Sequence, residues 1–216
     1  MALSHSPKIV TDGLVLCLDA GDRKSYSGSG STWTDRVNNT NQTLNGVPVF
    51  ESNNGGGIIF DGTDDRLPVT FPTLPSSGGS IDVWMKKLDT TSNTFIFNHV
   101  ASSTNRYYIR IDGTAMSVVR GNPLTALSLG NIDLNTYLHI TMVWDSTTLY
   151  GYKNGVLIGS TTYTNPDTDT TNGNYGSAGS NNYGNFTLAS SRIYNKTLTA
   201  NEVLQNYQAT RGRFGI

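Results

Sequence analysis

Charge is scarce in this chain. Charged residues are 14% of its 216 positions, with 15 Lys and Arg against 16 Asp and Glu, so the net charge is -1. No basic field exists to neutralise a phosphate backbone, which excludes nucleic acid as a partner. Glutamate is confined to Glu51 and Glu202. Cysteine is confined to Cys17. A lone cysteine excludes an internal disulfide framework, and within Leu14-Val15-Leu16-Cys17-Leu18 it reads as a small buried hydrophobe. No stretch approaches the ~18 apolar residues that cross a bilayer, and residues 1–10 lack the apolar core of a secretory signal. These absences predict a chain made in a cytoplasm, with no membrane partner.

Hydrophobic residues at 36% and aromatics at 10% are enough for a core, so disorder is excluded as well. The polar remainder is dominated by Gly, Ser, Thr and Asn, the residues of strands and tight turns. The length suits one large domain, bounded by an arm over 1–12 and a tail over 211–216.

Alternation predicts the strands. Leu14 to Asp19, Ile58 to Phe60, Thr94 to His99, Arg106 to Asp112 and Met116 to Arg120 read as strands. Arg66 to Phe71 carries Pro68, which marks an edge strand. In Ser80 to Lys86, Ile81, Val83 and Met85 oppose Asp82, Trp84 and Lys86. His139 to Ser160 reads as a three-stranded meander, with Asn154-Gly155 as a type I′ turn. Trp33 and Val47 to Phe50 are the anchors of a loop-rich stretch over 23–56. Asn165 to Asn185 reads as a long exposed loop, after which Phe186 to Tyr194 returns to strand. Thr199-Ala200-Asn201-Glu202 matches a capping box and starts one short helix, with Val203, Leu204 and Tyr207 on one face. The prediction is an all-β, two-sheet antiparallel sandwich with one short C-terminal helix.

Three stretches carry a family resemblance: Gly57 to Asp65 with its Phe60-Asp61-Gly62 strand end, Tyr137 to Trp144 followed by Leu149 to Gly155, and Arg192 to Val203. Together, over about residues 57–208, they resemble the laminin G-like, concanavalin A-like jelly-roll family. The flanks, Asp12-Gly13-Leu14-Val15-Leu16 with Asp19-Ala20-Gly21, Trp33-Thr34-Asp35, Thr43-Leu44-Asn45-Gly46 and Asn206 to Ile216, are similar to the version found in structural proteins of tailed bacteriophages. The chain departs from that version at Arg36-Val37 and at Asp82, an acid on one face of a central strand.

The resemblance implies a non-enzymatic virion protein, a capsid decoration, neck or tail-fibre component. It would dock on other virion proteins as a homo-oligomer such as a trimer, and meet a host-surface glycan. The alternative is a carbohydrate-binding, lectin-like adhesion module. A polysaccharide hydrolase comes third. Glycoside hydrolysis needs two carboxylates ~5 to ~9.5 Å apart, and Asp82 is the only acid in its strand. The histidines, His5, His99 and His139, show no metal-ligand spacing. No cofactor is required, but Asp61, Asp64 and Asp65 could hold a structural Ca²⁺, which favours oxygen ligands from loops. For a glycan, the candidates are Tyr175, Tyr183 and Asn181, rings and an amide in the Asn- and Gly-rich stretch.

Overall fold

The structure is a computed structural model that describes residues 7–100, 106–164, 172–178 and 182–216. In chain order the strands are β1 (Leu14–Asp19), β2 (Thr32–Thr34), β3 (Asn41–Thr43), β4 (Val49–Glu51), β5 (Gly57–Asp61), β6 (Leu67–Thr70), β7 (Gly78–Lys87), β8 (Thr94–Val100), β9 (Arg106–Asp112), β10 (Ala115–Arg120), β11 (Thr125–Asn131), β12 (Tyr137–Asp145), β13 (Thr148–Lys153), β14 (Val156–Thr162), β15 (Asn172–Tyr175) and β16 (Asn185–Tyr194). The helix α1 (Ala200–Thr210) follows.

An eight-stranded sheet runs β14-β13-β12-β7-β16-β5-β4, and β1 shares the free edge of β16 with β5. A six-stranded sheet runs β11-β10-β9-β8-β15-β6. All pairings are antiparallel, so the jelly-roll sandwich with one short C-terminal helix holds.

Strand alternation fills the space between the sheets. Across the six-stranded sheet, Leu127, Val118, Ile109, Phe97, Tyr175 and Leu67 stand in one cross-strand row. All six pack in or against the central core, which also takes Ile81, Val83, Met85, Ile140, Met142 and Trp144 from the facing sheet. The row one residue along, Ala126, Val119, Tyr108, Asn98, Asn174 and Pro68, lies on the outward face. Pro68 is on the edge strand β6, where its missing N–H breaks no ladder bond.

The other face of the eight-stranded sheet is covered too. Asp82 and Trp84, opposite Val83, are fully buried because α1 lies over them. The capping box is formed: Glu202 N–H donates to Thr199 Oγ1 and Thr199 N–H to Glu202 Oε2. Val203 and Asn206 are the buried helix residues, whereas Leu204 is 37% exposed. The seated face is therefore 203, 206, 207 and 210, the 3.6-residue stripe, which displaces the predicted Leu204.

One further expectation changes. Val47 and Val49 are exposed, and only Phe50 of that segment packs on the core, its ring against Tyr26. Tail residues Arg211–Phe214 form a 3-10 turn that stacks Phe214 on Trp84 at 4.2 Å. The arm is pinned as well: Val10 N–H donates to Asn206 Oδ1, and Gln205 Nε2 donates to Lys8 O. Arm and tail thus both belong to the packed fold over the described residues.

Candidate functional site

The departure at Asp82 resolves into a buried polar cluster. Its Oδ1 accepts from Arg192 Nη1 at 2.9 Å. Its Oδ2 accepts from His139 Nε2 at 2.8 Å, and from Thr141 Oγ1 and Asn206 Nδ2 at 3.3 Å each. β12 supplies His139 and Thr141, β16 supplies Arg192 and α1 supplies Asn206, all around an Asp82 carried on β7. Burial pushes the Asp82 carboxyl up, but His139 and Arg192 outweigh it and hold its pKa at about 2. A carboxylate so held, with no exposed surface, serves as a structural anion rather than as an acid facing substrate.

The outward face of the six-stranded sheet has a different character. Tyr108 is half-buried and meets Phe95 edge-on at 5.2 Å between ring centroids. Asn98 stands directly across from Tyr108, and Arg110 directly across from Phe95. Asn174 continues the amide row beyond Asn98, and Ser117 and Ser128 extend the row of Arg110. Among the described residues, the acceptor Asn98 Oδ1 and the donor Arg110 Nε are buried on this face without a hydrogen-bond partner. Such an atom costs ~1–3 kcal/mol until something satisfies it. Both atoms are sealed from solvent, and Arg110 also reaches Asn93 Oδ1 through Nη1 at 3.3 Å and Asp112 Oδ2 through Nη2 at 3.6 Å, so the groups this face leaves partly open are the Tyr108 ring and the edge of the Arg110 guanidinium. Alternation along β9 sets Tyr108 and Arg110 opposite the buried Tyr107, Ile109 and Ile111, and so on this face. Asn98 and Phe95 carried no signal of their own, because a bulge between Phe95 and Phe97 resets the facing of β8.

Of the glycan candidates taken from the Asn- and Gly-rich stretch, Tyr175 is corrected by its burial. Tyr175 is wholly buried in the inward row, and its hydroxyl pairs with Ser191 Oγ at 2.5 Å. Residues 172–175 form a strand between β8 and β6 rather than an exposed loop, which is why parity turns Tyr175 into the core. Tyr183 is half-buried and bridges to Ser177. Asn181 and His5 lie outside the described residues.

The metal candidates do come together. Ligand atoms of Asp61, Asp64 and Asp65 lie within 4.8 Å of one another. Asp65 is buried, with Val47 N–H donating to Oδ1 at 2.8 Å and Asp61 N–H to Oδ2 at 3.1 Å. Asp61 Oδ1 accepts from Thr63 N–H. The spacing suits a shared cation, while two of the three carboxylates are already satisfied as loop staples.

A family model described as the concanavalin A-like lectin/glucanases superfamily, of the laminin G type, matches residues 61–204, two thirds of the chain. The chain belongs to that superfamily. This superfamily member is similar in structure to the receptor-binding domain of botulinum neurotoxin C/D mosaic serotype, at 13% identity and TM-score 0.74, over 92% of this chain and 52% of that one. The binding domain of Paraclostridial mosquitocidal protein 1 has 15% identity and TM-score 0.73, over 90% and 52%. A structure of botulinum neurotoxin type C, whose cell entry depends on interaction with two ganglioside molecules, has 14% identity and TM-score 0.70, over 92% and 51%. At these identities the likeness is one of fold, and the chain spans about half the length of these solved chains. No curated protein matches the sequence.

Proposed function

We propose that this superfamily member is a non-enzymatic carbohydrate-binding module that presents the outward face of its six-stranded sheet to a glycan. The observation that carries the reading is the half-buried Tyr108 ring, held edge-on by Phe95 and standing beside Arg110 on the outward face. Membership of a lectin and glucanase superfamily supports binding to saccharides. The commitment of Asp82 to His139 and Arg192 supports binding without hydrolysis. A glycan array identifies the ligand, and calorimetry compares it on wild type and Tyr108→Ala. Loss of the stacking ring is expected to weaken binding about tenfold or more. A blank array, or unchanged affinity in Tyr108→Ala, removes the reading, and reducing-sugar release from a bound polysaccharide removes its non-enzymatic half.

The setting proposed for the module is the particle of a tailed bacteriophage, as a homo-oligomeric head, neck or tail component bound to other virion proteins. The support is the resemblance of the flanks at 12–46 and 206–216. Mass spectrometry of purified particles tests it, and absence of the chain there overturns it. The same proposal carries a Ca²⁺ at Asp61, Asp64 and Asp65. Calorimetric titration of chelator-treated protein is expected to show heat of binding, and a flat trace eliminates the ion.

A further inference from the structure

A cleft of about 140 Å³ opens at the rim of the sandwich, where the β11–β12 connection meets the β13–β14 turn. Its walls are held from outside. Lys153 Nζ donates to Leu129 O at 3.1 Å and to Asn131 O at 3.2 Å, which clamps the end of β11 to β13 across the two sheets. Asn154 N–H donates to His139 O at 2.8 Å, and Asn154 Oδ1 accepts from His139 N–H at 3.0 Å. Its Nδ2 is thereby left as a fixed donor. The Tyr137 ring is locked by its hydroxyl, which donates to Glu51 Oε1 at 2.7 Å, and by Phe214 at 4.6 Å between ring centroids.

Within these walls, polar groups are left over. The exposed Asp133 carboxylate and the Asn131 side-chain amide make no hydrogen bond or ion pair among the described residues, and Ile132 and Leu138 supply apolar surface beside them. We propose that this cleft is a subsite for one neutral hexopyranose ring at the end of a glycan chain. A carboxylate accepts from two neighbouring hydroxyls, the amides of Asn131 and Asn154 donate to ring or hydroxyl oxygens, and Ile132 and Leu138 meet the C–H face. The volume is well below the ~300–1,000 Å³ of a site for a drug-sized ligand, so it takes one ring and not an oligosaccharide. An acidic sugar is disfavoured, because Asp133 would repel it and the Lys153 ammonium is spent on two backbone carbonyls. A divalent cation finds only one carboxylate among the described residues lining the cleft, fewer than its ligand shell asks for.

This inference rests on the carbohydrate-binding reading but on different residues, so the two can be separated. Amide NMR of the full chain is recorded with glucose, galactose, mannose and N-acetylglucosamine in turn, and with the best polysaccharide from the array. At least one monosaccharide is expected to move the amides of 131–137 and 153–155. Asp133→Asn is expected to raise its dissociation constant about tenfold or more, since a charged hydrogen-bond acceptor is lost. Asp133 is exposed and makes no hydrogen bond or ion pair among the described residues, so the variant retains its structure, which its unshifted core amides report. Unmoved cleft amides with all four sugars, or equal affinity in Asp133→Asn, overturn the subsite. If the polysaccharide still engages the face of Tyr108, the module reading survives that loss. If neither sugar nor polysaccharide binds, both fall.

Discussion

Asp82 was visible in the sequence as an acid out of place, and invisible in its purpose. Its partners His139, Arg192 and Asn206 lie 57, 110 and 124 positions away, and no local pattern links them. Its titration follows from that cluster. The folded pKa of about 2 is below the ordinary 3.8, so the stability it contributes is present above about pH 4 and lost as pH falls toward 2. The linkage is worth ~2 kcal/mol. Asp82→Asn is expected to flatten that acid limb of the stability curve. At neutral pH it also leaves Arg192 buried without its carboxylate, at a cost of ~3–5 kcal/mol. Urea unfolding at neutral and acid pH measures both effects, and an unchanged acid limb would show that other carboxylates control it. Tyr175 failed at the same scale for a related reason. Its Asn- and Gly-rich neighbours signal a loop, and only pairing with β8 and β6 makes it core.

Elements with internal signals were legible. The Asn154-Gly155 turn has both residues at positive φ, 52° and 77°, as a type I′ turn requires. The capped helix was equally readable, because both halves of its box lie within four residues. Thr199→Ala removes the hydroxyl that accepts Glu202 N–H and is expected to cost ~1 kcal/mol. The measurement is thermal unfolding, with Thr199→Ser, which keeps the hydroxyl, expected to retain stability. β2, β3, β4, β11 and β15 were not read from sequence. The first three are three residues long, too short for alternation to register. β15 is Asn-Gly-Asn-Tyr, whose first three residues are poor strand formers that only the surrounding sheet holds extended.

For the whole molecule, the family resemblance located the sandwich, and the missing piece was a third layer. α1 and the 211–214 turn close the far face of the eight-stranded sheet, where Trp84, Tyr137, Ala189 and Phe214 form a cluster of their own. Phe214→Ala opens that cluster and is expected to cost ~3 kcal/mol or more, with tryptophan emission shifted red as Trp84 meets water. Unchanged stability and emission would place the tail outside the folded unit. The outward face of the six-stranded sheet was half legible: Tyr108 and Arg110 follow from alternation, whereas Asn98 and Phe95 needed the bulge of β8.

The pinning of arm and tail on one side has a mechanical consequence. Lys8 and Val10 are hydrogen-bonded to Gln205 and Asn206, so any tether fused before or after this domain leaves from the helix side. The aromatic and amide face lies on the opposite side of the sandwich. Copies anchored on a common carrier would therefore all display that face away from it, and weak single contacts would add up through effective concentration.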